Sequence, residues 1–299
     1  MSDLKFNKVQ LFAVSSTGLQ SLLVPKSAQS FADLYDGLAL GVYSALRTFE
    51  HEKFLCLQEH IDRTRRSMAL LGWRYDLDEM LLRQALHQVC SAYPAAEMRV
   101  RFDILAEPAK SLGSNSRLLV ALMPFSPPPL KLYEDGVAVD IASDLLRDRP
   151  LVKAATFAQH RRRYPMGQSD VYEYLMMDEN GRLLEGTGTN FYGVRDGVVY
   201  TAGDGVLEGI TRKIVLDLLP EINVAVRFQA ITEQEISSLD EAFLSGSSRA
   251  VLPVVSIAGQ QIGNGHPGAI GRRLLMAYND FVARSIKTAV DDEKLESEK

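Results

Sequence analysis

The sequence predicts an α+β chain in two unequal lobes, and three observations carry that expectation. MPFSPPPLKLYEDG, from Met123 to Gly136, holds three consecutive prolines. Such a run is stiff, extended and poor in amide donors, which suits a linker and suits neither helix nor central strand. Before it, strand-like and helix-like periodicities alternate. After it, Asn180-Gly181 and Asp196-Gly197 sit between apolar runs, the strongest short-range hairpin signal, because those residues tolerate positive φ. At roughly 150 residues per domain, 299 residues suit two domains. The expected division is 1–125, a linker over 126–133, and 134–288.

In the first lobe, Lys8–Ser16 and Gly41–Phe49 carry the β-branched and aromatic residues of strands. Glu59–Leu71 and Leu77–Ala92 place apolar residues at helical spacing among charges, and both read as helices. Glu97–Leu105 alternates, with Met98, Val100, Phe102 and Ile104 on one face and Arg99, Arg101 and Asp103 on the other. That pattern predicts a half-buried strand. In the second lobe, Val137–Ala142 opens as a strand and an amphipathic stretch follows Lys153. A meander then runs through Tyr172–Asp178, Arg182–Val194 and Val198–Ala202. Ile210–Leu219 is expected as a helix between Gly209 and Pro220. Phe243–Ser247 reads as a strand turning into a short helix over Ser248–Leu252, and Ala269–Ile286 as a last amphipathic helix. The charged residues 289–299 read as a disordered tail. The periodicity suggests neither a regularly alternating barrel nor a doubly wound sheet.

Composition narrows the function. Thirty-three basic residues against 38 acidic leave a net charge of −5, without the basic footprint that nucleic-acid binding needs. Two cysteines, Cys56 and Cys90, build neither a disulfide framework nor a cysteine zinc site, and five scattered histidines make no metal cluster. No apolar run is long enough to span a membrane, and the first residues lack a secretory pattern. The expectation is a cytoplasmic protein with no metal. There is no phosphate loop with Gly-Lys-Ser/Thr, no dinucleotide fingerprint and no Gly-x-Ser-x-Gly elbow.

Two segments are suited to an anion. Leu207-Glu208-Gly209-Ile210-Thr211-Arg212 places glycine and threonine at a helix start, where free amides and the helix dipole favour negative charge. Ser245-Gly246-Ser247-Ser248 offers a second amide-rich turn with hydroxyls. Ordinary helix capping explains either one taken alone. Lys153, within Leu151-Val152-Lys153-Ala154-Ala155, is a lysine in an apolar setting. Such an amine loses its charge more easily and can serve as a nucleophile, unless it simply snorkels from a strand end. Glu185 interrupts an apolar strand and, if buried, requires a partner.

Read jointly, GVYSALRTF at 41–49, EHIDRTRRS at 59–67, VKAATF at 152–157, LLEGTGTNFYGVRDGVVYT at 183–201, LEGITR at 207–212 and SGSSRAVLP at 245–253 resemble the class IV, or fold-type IV, pyridoxal-phosphate-dependent aminotransferases. The resemblance covers most of the chain and is nearest to branched-chain amino acid aminotransferase-like members. It implies an α+β, two-domain D-amino-acid aminotransferase-like fold, with a smaller N-terminal α/β lobe and a larger C-terminal cofactor-binding lobe. It further implies pyridoxal 5'-phosphate as cofactor, an amino donor and a 2-oxo acid as substrates, and a homodimer with its active site near the interface.

Residue by residue, the resemblance makes Lys153 the Schiff-base lysine and proton shuttle and sets Glu185 against the pyridine nitrogen. Arg63 becomes a phosphate ligand, its guanidinium fork suiting a phosphate bidentately. Gly209, Ile210, Thr211, Ser247 and Ser248 complete the phosphate cup, and Leu207 packs under the ring. Arg101, Arg99 and Tyr43 are placed toward substrate, Arg101 as a clamp for its carboxylate. The reaction implied is transamination from a branched-chain L-amino acid to 2-oxoglutarate. Aminodeoxychorismate lyase-type elimination, D-amino-acid or amine transamination, and a non-catalytic cofactor-binding relative are the alternatives. The chain departs from the family pattern at Ala158, where a tyrosine is usual, at Glu208 and at Leu38.

Overall fold

The computed structural model describes residues 9–167 and 170–297, so Lys8 and the last two residues of the expected tail lie outside the described residues. The chain forms two compact units. One runs to Ser126 and includes Val152–Gln159; the other takes Pro127–Leu151 and His160 onward.

The first unit contains strands β1 (Gln10–Ser15), β2 (Gly18–Ser21), β3 (Val42–Phe49) and β4 (Lys53–Phe54). Helices α1 (Leu57–Leu70) and α2 (Glu79–Ser91) follow, then β5 (Met98–Ile104) and β6 (Leu118–Pro124). The strands form one sheet in the order β2-β1-β6-β5-β3-β4. On one face, Met98, Val100, Phe102 and Ile104 of β5 join Ile61 and Met68 of α1 and Leu82, Leu86 and Val89 of α2 in a single core. Asp78 caps α2 by accepting from the Leu81 amide. The other face carries a second core of Leu11, Phe31, Tyr35, Leu119 and Ala121. This two-sided burial corrects the half-buried reading of β5: Arg101 and Asp103 are both buried, while Arg99 is exposed. Alternation marks the faces of a strand but not what covers the second one.

Val152–Gln159 belongs with this unit for a backbone reason. The Tyr43 amide donates to the Lys153 carbonyl (3.1 Å) and the Ala155 amide to the Gly41 carbonyl (2.8 Å). Val152 lies in the helix-side core.

In the second unit the proline segment is irregular only to Pro129, and α3 (Lys131–Asp135) begins inside the expected linker. Proline is tolerated ahead of a helix, where its missing amide costs nothing. Next come β7 (Val137–Ala142), α4 (Ala155–His160, shared with the first unit), β8 (Glu173–Met177), β9 (Arg182–Gly186), β10 (Asn190–Arg195) and β11 (Val198–Tyr200). The rest are α5 (Ile210–Glu221), β12 (Val226–Arg227), β13 (Ile231–Thr232), β14 (Glu241–Gly246), β15 (Ala250–Ile257), β16 (Gln260–Gln261) and α6 (Ala269–Ser297).

Four expectations are corrected here. The run Arg182–Val194 is two strands, broken at Thr187-Gly188-Thr189, where the two threonine hydroxyls and the Gly188 amide bond to the buried carboxylate of Glu173. Ser248–Leu252 is not a helix: β14 and β15 form a hairpin with Gly246 opposite Ala250. Pro253 is accommodated because pairing of β15 with β7 starts only at Val254. Helix α5 continues through Pro220, which sits in its final turn and removes a single hydrogen bond. Last, the charged segment from 289 prolongs α6 to Ser297.

The largest departure is topological. The second sheet runs β12-β11-β10-β14-β15-β7-β8-β9-β13, and β9 also pairs with β10. Strands β9, β10, β14, β15, β7 and β8 therefore close into a barrel-like ring. The closing pair is Asn190 opposite Glu185.

Candidate active site

Each unit presents its own cluster. In the first, Val42 pairs with Ala154 in an isolated antiparallel bridge, so Lys153 stands directly across from Tyr43. On the other side of β3, Tyr43 faces Asp103. One row thus runs Lys153, Tyr43, Asp103 across three backbones. The Lys153 Nζ lies 5.2 Å from the centre of the Tyr43 ring, and its backbone amide donates to Ser67 Oγ (3.2 Å).

Arg101 sits diagonally from Tyr43 on this face. Its guanidinium stacks 4.1 Å from the centres of both Tyr35 and Tyr43. Its fork grips Asp103, Nε to Oδ2 at 2.8 Å and Nη2 to Oδ1 at 2.5 Å. The Tyr35 hydroxyl donates to the same carboxylate (2.6 Å). Burial works against the Arg101 charge, but Asp103 and the two tyrosines more than offset it, raising its pKa. Burial and the Asp103 charge push the Tyr35 phenol well above its ordinary range.

On the opposite face, the Ser44 hydroxyl lies 2.8 Å from His60 Nδ1 and accepts from Arg63 Nη2 at 2.9 Å. All three are buried. Burial, then the charges of Arg63 and Lys153, hold His60 well below the usual imidazole pKa, so it is neutral at pH 7. With Nε2 carrying the hydrogen, Nδ1 accepts from Ser44 and the hydroxyl oxygen stays open to Arg63.

In the second unit, closure of the ring buries Glu185 to 2% exposure. Its Oε1 accepts from Arg147 Nε (2.6 Å) and from the Leu207 amide (3.2 Å). Among the described residues Oε2 receives a single 3.3 Å bond, from Asn190 Nδ2, which also holds the Leu207 carbonyl (2.9 Å). Asn190 therefore ties Glu185 to the loop that leads into α5. Among the described residues no side-chain cap bond is made where that helix starts, at Gly209, the end at which free amides favour an acceptor. A Cβ on Gly209 would come within 2.3 Å of Asn190 Oδ1, so only glycine permits this approach. One residue into the helix, Thr211 is buried, and the buried Nε of Arg212 has no hydrogen-bond partner among the described residues. Leu207 and Ile210 are buried beside them. Ser247 and Ser248 lie in the β14–β15 hairpin turn, held where Tyr133 donates to the Arg249 carbonyl (2.8 Å) and Arg249 Nε donates to the Tyr172 hydroxyl (2.8 Å).

An uncapped helix start and a buried carboxylate with one lightly bonded oxygen fit a cofactor bearing a phosphate and a protonated ring nitrogen. The sequence reading missed several of the residues that build these clusters. Arg147 and Asp103 carry no motif signal, and Tyr35 lies outside every quoted segment. His60, Ser44 and Asn190 stand inside the quoted motifs but were given no role.

Two sheets of this topology, one of them closed, with a lysine-bearing edge in one unit and a carboxylate-and-helix-start cluster in the other, define a fold-type IV enzyme. The amino-transferase class IV model matches residues 41–257, and the chain belongs to that family, whose cofactor is pyridoxal 5'-phosphate. It is 26% identical over 257 residues to the D-alanine aminotransferase of Bacillus licheniformis, covering 83% of this chain and 90% of the relative. It is 27% identical over 256 residues to a putative branched-chain-amino-acid aminotransferase of Methanocaldococcus jannaschii, covering 81% and 86%. Among solved structures, a putative branched-chain amino acid aminotransferase from Thermotoga maritima superposes with a TM-score of 0.74 at 23% identity, over 92% of this chain and 96% of that one. The branched-chain aminotransferase from the thermophilic archaeon Thermoproteus uzoniensis, solved with norvaline, gives 0.66 at 22%, over 91% and 93%.

Proposed function

We propose that this aminotransferase moves an amino group from a branched-chain L-amino acid to a 2-oxo acid such as 2-oxoglutarate, as a cytoplasmic homodimer. The observation that carries the reading is the Glu185 carboxylate, buried with one oxygen left lightly bonded, inside a family match that also spans Lys153. Pyridoxal phosphate, when bound, supplies an electron sink for the pair left behind as the donor's Cα–H bond breaks.

The chain's own residues do the rest. Lys153 anchors the cofactor and carries the Cα proton on Nζ, its backbone fixed by Tyr43 and Ser67. Glu185 accepts from the ring nitrogen and keeps it protonated. Arg63, Gly209, Ile210, Thr211, Ser247 and Ser248 hold the phosphate, and Leu207 supports the ring. Branched-chain donors are favoured because relatives so named recur among both sequences and structures. The likeness to a D-alanine aminotransferase supports a second reading in which the donor is a D-amino acid.

The test is the visible spectrum of the cofactor-loaded protein with L- and D-amino acids. Bleaching by L-leucine or L-valine and recovery on adding 2-oxoglutarate support the first reading; bleaching by D-alanine alone supports the second. Lys153→Ala abolishes both responses. A protein that never takes up the cofactor refutes the proposal.

A further inference from the structure

The row of side chains beside Lys153 assigns Arg101 a task other than gripping substrate. We infer that Arg101 is a positioning residue: locked by Asp103 and Tyr35, it holds the Tyr43 ring against Lys153 and does not clamp the donor's carboxylate.

Three observations support this. Two of the guanidinium's N–H donors, one on Nε and one on Nη2, end on Asp103. That side-on bidentate pairing fixes the plane and position of the guanidinium, so it cannot swing toward a substrate without breaking both bonds. The pair is also deeply buried, Arg101 at 6% and Asp103 at 1%, so pulling the arginine away to meet a substrate would strand a charge inside the unit. Finally, the flat faces are occupied. Arg101 lies between Tyr35 and Tyr43 at 4.1 Å from each ring centre, and the register sets Asp103 directly opposite Tyr43. Ala45, opposite Arg101, is small enough to leave the guanidinium its space. The result is a rigid stack whose last member is the ring next to Lys153. Tyr35 comes from a segment far from β5 in sequence, and its hydroxyl closes the lock on Asp103.

This inference rests on the reading of Lys153 as the reacting amine, and its experiment separates the two. In the cofactor-free protein, acetylation of Lys153 by acetic anhydride is followed by peptide mass spectrometry, with exposed Lys213 as internal reference. Arg101→Met, Asp103→Asn and Tyr35→Phe each change the Lys153 labelling rate at least threefold, in the same sense as Tyr43→Leu. The double variant Arg101→Met/Tyr43→Leu changes it no further than Tyr43→Leu alone, because both act through one ring. Unchanged labelling in Asp103→Asn and Tyr35→Phe, the two conservative variants that keep side-chain volume, overturns the inference.

Steady-state kinetics of the loaded enzyme supply the second readout. A positioning role lowers kcat for L-leucine about tenfold or more in Asp103→Asn and leaves KM within threefold. A carboxylate clamp predicts the reverse. Arg101→Met would then raise KM strongly, and Asp103→Asn, by freeing the arginine, would lower it. That KM pattern overturns the inference. A chain that proves not to transaminate at all removes the functional proposal but leaves the labelling result to decide the positioning one.

Discussion

Replacing Arg147 by methionine isolates the electrostatic centre of the second unit. The Arg147 Nε–Glu185 Oε1 pair is 2.6 Å long, with side chains only 4% and 2% exposed. Two unit charges about 4 Å apart attract by about 4 kcal/mol at an effective dielectric near 20. Removing one partner of such a buried pair typically costs about 3–5 kcal/mol, because the survivor is left charged without its counter-ion. At about 2–4 °C per kcal/mol for a unit of this size, the cofactor-free variant should melt about 6–20 °C lower. Glu185→Gln should cost a comparable amount, since it leaves Arg147 buried without that carboxylate. The double variant should not cost the sum. Its glutamine still accepts from the Leu207 amide and neither site carries a charge, so its stability should fall within about 1–2 kcal/mol of the parent. Urea unfolding followed by circular dichroism measures all four proteins. An Arg147→Met loss below about 1 kcal/mol, or a double variant as damaged as the two single losses added, refutes the argument.

Three further outcomes follow from the same geometry. His60 is held neutral, its folded pKa well below the usual value through burial, Arg63 and Lys153. The unfolded chain therefore binds the extra proton first, and stability falls as pH drops below about 6.5, by up to about 1.4 kcal/mol per unit; a pH series of melts on His60→Gln should show that slope removed. Gly209→Ala drives a methyl group into Asn190 Oδ1 and displaces the link between Glu185 and Leu207, so cofactor affinity read by absorbance titration should fall at least about tenfold. Glu173, fully buried, accepts from Thr187 Oγ1 at 2.5 Å and from the Gly188 amide at 3.2 Å. Glu173→Gln turns these charge-assisted bonds into neutral ones and should destabilise the protein by about 2–4 kcal/mol in urea unfolding.

Local chemistry made much of this molecule readable in its sequence. The Asn180-Gly181 and Asp196-Gly197 turns form where their dipeptides require positive φ, and Glu59–Leu71 and Leu77–Ala92 match α1 and α2 to within a residue or two, because helical periodicity and capping are properties of contiguous residues. The motif segments around Lys153, Glu185 and Gly209 named the family for the same reason. What the sequence could not determine depends on partners distant along the chain. Ser248–Leu252 has no local feature that separates strand from helix; its pairing with β14 and β7 decides. Arg101, placed toward substrate by the resemblance, carries no local sign of the partner it meets when Tyr35, from 66 residues away, stacks on it. Arg147 reads as one of several arginines until closure of the ring at Asn190 and Glu185 buries the carboxylate it serves. A buried charge has its meaning set by what surrounds it, and only the tertiary structure supplies the surroundings.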